Sequence, residues 1–146
     1  MSAQRLIPLC AALLAFSFVA TAGAAKPRAA AKHARATTVT ATEVEWHVKL
    51  SRTSMPAGSV TFTVRDSGHL AHSFVVLRTN LPAGKLPMKG NQVDIKKAGT
   101  LVGQITDIKP GKTAHLSLTL KAGPYVLFCN LPAHYKSGQY AAFRVT

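Results

Sequence analysis

From Thr38 onward this chain is built of short apolar segments of period two, set apart by Gly- and Pro-bearing turns, with no long helical periodicity between them. Val44, Trp46, Val48 and Leu50 alternate with Glu43, Glu45, His47 and Lys49, which predicts one strand with the first set in the core and the second in solvent. Val60, Phe62 and Val64 repeat the pattern between the turn signals Pro56-Ala-Gly58 and Asp66-Ser-Gly68. Residues 72–79 are more continuously apolar. Residues 101–108 form the next segment, Lys109-Pro-Gly111 turns the chain into Leu116, Leu118 and Leu120, and Gly123-Pro124 leads into 125–128. With 140–145 this makes seven or eight short strands, hence an all-β fold, an antiparallel Greek-key sandwich or barrel. The polar, Pro/Gly-punctuated connection 80–99 resists the pattern. Connections this long are uncommon unless functional, and a helical turn or a short strand near Val93 to Ile95 is expected within it.

Ahead of the strands the composition changes twice. Residues 1–25 have a short basic start at Arg5, an apolar stretch from Leu6 to Ala22 and the small-residue pattern Ala22-Gly23-Ala24, as a secretory signal peptide does. Residues 26–37 are Ala-rich and basic, and are expected to form a flexible tail that leaves His33 in solvent. The single domain is then 38–146, and the product is expected in the periplasm or secreted.

The chain carries 18 Lys and Arg against 5 Asp and Glu, a formal charge of +13. Removing Arg5 with the signal leaves 17 basic against 5 acidic side chains, a balance of +12. In an exported protein such charge points to an acidic protein partner or to an anionic membrane or cell-wall surface, and away from nucleic acid. A monomer is expected.

Cysteine use is the next constraint. Cys10 lies in the signal segment, so Cys129 alone remains in a compartment where thiols normally pair. A leftover Cys there implies a reactive thiol, an intermolecular disulfide or a metal ligand. Cys129, His134 and Gln139 stand at Cys-x4-His-x4-Gln spacing, placing a thiolate, an imidazole and an amide oxygen within one short stretch. A soft sulfur with imidazole nitrogens and a weak axial oxygen suits copper in a trigonal electron-transfer geometry. A second His must come from elsewhere in the chain. His47 and His115 fall on polar strand faces and are expected in solvent, while Met88 is a poor candidate in a loop.

The stretch from Thr113 to Thr146 resembles the closing strands and ligand loop of the cupredoxins, the small blue-copper proteins, and GHLAHSFVV resembles the strand that supplies their first His. The resemblance implies His72, Cys129 and His134 as the three strong ligands of one type 1 copper ion, with Gln139 in the family's axial Met position. The stellacyanins use Gln there, but their branch also carries a disulfide that one cysteine cannot form internally. The closer likeness is to single-domain bacterial cupredoxins. His69 is the rival of His72. Ser73 stands where an Asn often ties the two ligand loops together, and electrons would pass through His134, with its outer edge among Leu131, Pro132 and Ala133.

The resulting expectation is an exported electron carrier that cycles Cu(II) and Cu(I). A copper-sequestering or delivery protein is the alternative. No catalytic triad, paired carboxylates or second copper cluster is legible, so an enzyme is not expected.

Overall fold

The structure is a computed structural model and describes residues 36–146. The expected signal segment, His33 and most of the basic tail lie outside the described residues. In chain order the elements are β1 (Thr37–Val44), β2 (His47–Leu50), β3 (Ser54–Met55), β4 (Gly58–Asp66), β5 (His72–Arg78), β6 (Met88–Lys89), β7 (Gln92–Val93), α1 (Ile95–Ala98), β8 (Thr100–Ile108), β9 (Thr113–Leu120), β10 (Gly123–Phe128) and β11 (Tyr140–Val145). Eight of these strands have four or more residues, and no helix among the described residues is long and apolar enough to cross a membrane.

Two sheets, in the orders β2-β1-β4-β9 and β3-β11-β10-β5-β8, enclose the main core, and β6-β7 form a small separate hairpin. Val39, Ala41, Val60, Phe62 and Val64 from the first sheet meet Phe74, Val76, Tyr125, Leu127, Phe143 and Val145 from the second. This is the one-face-in, one-face-out pattern that period-two alternation encodes. The all-β sandwich reading therefore holds. Two pairings depart from a purely antiparallel arrangement: β1 runs parallel to β4, and β3 parallel to β11.

β5 is buried from His72 to Leu77 because both its faces are covered. Phe74 and Val76 face the main core, whereas Val75 and Leu77 join Val126, Phe128 and Tyr135 in a second cluster on the outer face of the sheet. Connection 80–99 supplies the cover through Leu86, Val93 and Ala98. Both a short strand and a helical turn occur in it, the turn capped by Asp94.

One expectation fails at Trp46. The chain reverses at Glu45 and Trp46, pairing Val44 with His47 across a two-residue hairpin turn. Trp46 takes φ 65°, a left-handed backbone uncommon for a bulky residue, and is 43% exposed instead of sitting in the core. The turn resets the alternation. The buried face of β1 is Val39, Ala41 and Glu43, so Glu43, expected in solvent, is fully buried.

Candidate metal centre

Strand order assembles the site at one end of the second sheet. β5 and β10 are antiparallel neighbours, with Phe128 opposite Val75, so the start of β5, which carries His72 and Ser73, comes to the same end of the sheet as Cys129, the residue that follows β10. β11 returns antiparallel to β10, with Phe128 opposite Tyr140, and the Cys129 backbone N–H donates to the Gln139 carbonyl at 3.1 Å. The loop between them is a run of tight turns, in which His134 N–H donates to Leu131 and Gln139 N–H to His134. The x4 spacings therefore belong to a hairpin loop folded back over its own base.

Donor atoms converge there. His72 Nδ1 and His134 Nδ1 are 3.3 Å apart, Cys129 Sγ is 3.4 Å from His134 Nδ1, and the three ligand atoms all lie within 4.8 Å of one another. They are positioned to bind a metal ion. His72 and Cys129 are fully buried and His134 is 9% exposed. Burial holds the His72 imidazole below its ordinary pKa, aided by His134 and opposed by Asp66 and Glu45, which favours the neutral ring a metal ligand must be. Burial also pushes the Cys129 thiol up, against hydrogen bonds from Ser73, so a bound cation is what would draw off its proton.

Gln139 lies at the same point, fully buried. Its amide nitrogen donates to Glu43 and to His72 Nδ1, the latter at 2.9 Å, and its Oε1 has no partner. Among the described residues, the buried side-chain polar atoms without a partner are Glu43 Oε1, Asp66 Oδ2, His72 Nε2 and Gln139 Oε1, all in this corner. Buried orphan atoms are costly, and their concentration around a sulfur and two imidazoles fits a site meant to hold an ion.

The surroundings tie the loops together. Ser73 N–H donates to Cys129 Sγ at 3.2 Å, and Ser73 Oγ accepts the Asn130 backbone N–H at 2.9 Å, so this side chain links the two ligand segments as expected. Asn130 Oδ1 accepts the Val93 N–H, and the Ala133 N–H donates to the Asn91 carbonyl. Tyr135 OH donates to the Ala83 carbonyl and accepts the Leu86 N–H. Connection 80–99 is thus a strap that buttresses the ligand loop.

The remaining candidates separate cleanly. The His69 side chain is 97% exposed and lies outside the donor group, which contains His72. His47 and His115 are exposed as expected, and so is Met88. Pro132 and Ala133 form the exposed shoulder beside His134. Trp46 meets the His134 ring edge-on at a centroid distance of 5.1 Å, a contact that the strand alternation did not foretell. Glu43, Glu45 and Asp66 were also missed, since they read as ordinary strand-face and turn residues.

No protein-family model matches the chain, and neither does any curated protein. Solved structures do. Auracyanin A, a "blue" copper protein from Chloroflexus aurantiacus, is similar over 75% of this chain and 98% of its own, with 18% identity and a TM-score of 0.55. Rusticyanin from Thiobacillus ferrooxidans shares 20% identity over 77% of this chain and 79% of its own, with a TM-score of 0.58. An azurin from Methylomonas sp. strain J shares 17% identity over 75% of this chain and 98% of its own, with a TM-score of 0.55. The fold is that of the cupredoxins.

Proposed function

We propose that the chain is an exported blue-copper protein that carries single electrons, with one type 1 copper that His72, Cys129 and His134 would hold and to which Gln139 would offer its side-chain oxygen. The observation that carries this reading is the convergence of one sulfur and two imidazole nitrogens, all from buried side chains, at the end of a sandwich. A thiolate with imidazoles selects copper over harder ions, and divalent copper outcompetes zinc at comparable donors. Copper supplies a one-electron couple. The protein supplies a frame: the hairpin base, the Ser73 link and the 80–99 strap limit rearrangement of the ligands when the charge changes. Ser73 N–H, aimed at Sγ, tempers the electron density on the sulfur.

The charge of the chain supports an acidic protein as redox partner, met through the shoulder of Pro132 and Ala133 beside His134, in a periplasmic or secreted setting. The protein acts as a monomer and has no catalytic role of its own. Copper storage or delivery is the competing reading, favoured by a Gln139 amide whose nitrogen is engaged by Glu43 and His72.

Voltammetry of the copper-loaded protein tests this. A reversible one-electron wave supports the carrier; copper uptake without a reversible wave moves storage ahead.

A further inference from the structure

Of the five acidic side chains in the chain, Asp94 and Asp107 lie beside Lys97 and Lys109. The other three, Glu43, Glu45 and Asp66, gather behind His72 and Gln139, and among the described residues none of them pairs with a Lys or Arg. In so basic a chain that leaves their oxygens directed at the centre itself.

The topology places them firmly. Glu43 and Asp66 face each other across the parallel β1-β4 pair, and Glu45 opens the hairpin turn. Loop 67–70 wraps their oxygens: Asp66 Oδ1 accepts the Gly68 N–H at 2.8 Å, and Glu45 Oε1 accepts the N–H groups of His69 and Leu70 at 2.5 and 2.7 Å. Gly68 is needed for this approach, because a Cβ there would lie 2.5 Å from Glu45 Oε1.

These two carboxylates flank the far nitrogen of the ligand ring. His72 Nε2 is buried without a hydrogen-bond partner, 3.9 Å from Glu45 Oε1 and 3.9 Å from Asp66 Oδ1. Its Nδ1 accepts from the Gln139 amide nitrogen, which has only hydrogens to offer, so the proton of the neutral ring is on Nε2. That is the tautomer a metal at Nδ1 requires.

We propose that Asp66 and Glu45 are positioning residues for His72, holding its ring with Nδ1 unprotonated and Nε2–H turned to their two carboxyl groups, and so bias the centre toward the divalent ion. The inference rests on the copper reading above. A ring that shares its Nδ1 lone pair with a cation carries more positive charge at Nε2–H, and more for a divalent than a monovalent ion, so the carboxylates stabilise Cu(II) preferentially.

The test uses Glu45→Gln and Asp66→Asn, each isosteric and each keeping an acceptor for its backbone partner. Loss of one such outer partner is expected to weaken Cu(II) relative to Cu(I) by about tenfold, at the low end for metal sites, with the thiolate colour retained. For one electron this raises the midpoint potential by about 59 mV. Ring 15N NMR of the metal-free proteins should show the Nε2–H form dominant in the parent and depleted in the variants. If Asp66→Asn does not fold, Glu45→Gln decides alone. Unchanged potential together with unchanged tautomer in a coloured variant overturns the proposal. A parent without thiolate colour would instead defeat the copper reading, and the tautomer measurement would still judge the positioning role.

Discussion

Gln139 and Glu43, the residue just before the last strand and a residue near the end of the first, are joined side chain to side chain in the interior, the amide nitrogen donating to the carboxylate. The bond fixes which end of the amide faces which neighbour. With the nitrogen held by Glu43, and displaced from His72 Nδ1 once a metal takes that lone pair, Oε1 is the free donor of the pair. A harder amide oxygen favours Cu(II) relative to a soft thioether. Gln139→Met should therefore raise the reduction potential of the copper protein, measured in matched buffer. An unchanged or lower value would show that Gln139 does not touch the metal.

The same pair sets a pH dependence in the metal-free protein. Burial, with repulsion from Asp66 and against the Gln139 hydrogen bond, pushes Glu43 from 4.5 up to about 8. Above pH 4.5 the unfolded chain releases a proton that the folded chain keeps, so unfolding is favoured as pH rises, until Glu43 ionises in both states near 8. His72, lowered by burial, acts oppositely below its ordinary 6.5, where the unfolded chain binds the proton more readily. Urea unfolding should thus show stability falling between about 6.5 and about 8, and Glu43→Gln should flatten that slope. A parent whose stability is level or rising across this window would contradict the assignment.

Trp46 is the sole tryptophan, and its ring lies edge-on against His134. A copper ion bound at His134 Nδ1 would sit close enough to open energy- and electron-transfer routes from the excited indole. Titration with Cu(II) should quench the fluorescence in proportion to site filling and stop at one equivalent. Emission indifferent to a stoichiometric, coloured complex would contradict the packing.

The extent to which this site was legible follows from where each signal lies. Cys129, His134 and Gln139 share one hairpin loop, so their geometry is encoded locally in spacing, and His72 is placed by the antiparallel register of β5 and β10. The alternation of Val60, Phe62 and Val64 gave the core face directly. Trp46 and Glu43 were misplaced because a two-residue turn shifts the phase without interrupting the alternation that marks a strand. The carboxylates around His72 come from three separate positions joined only by the parallel pairing of β1 with β4 and the wrapping of loop 67–70, which leaves no local pattern to read. The strap role of 80–99 depends on contacts with Asn130, Ala133 and Tyr135, and these too are long-range.

Charge and contact should separate in electron exchange with an acidic redox protein. Steering by the basic surface should weaken as the screening length falls from about 10 Å at 0.1 M salt to about 3 Å at 1 M. Ala133, exposed beside His134, should matter for transfer itself: Ala133→Asp should slow exchange at any salt while leaving the copper colour intact. Stopped-flow rates insensitive to both changes would remove the carrier mechanism and favour storage.

The account turns on whether Cys129 binds copper as a thiolate beside His72 and His134. The visible absorption spectrum of the protein loaded with one equivalent of Cu(II), recorded beside that of Cys129→Ser, tests this most directly. An intense thiolate-to-copper charge-transfer band in the parent and its absence in the variant is the predicted result. A parent that folds and takes up copper without that band, or a variant that keeps it, would contradict the assignment of the centre.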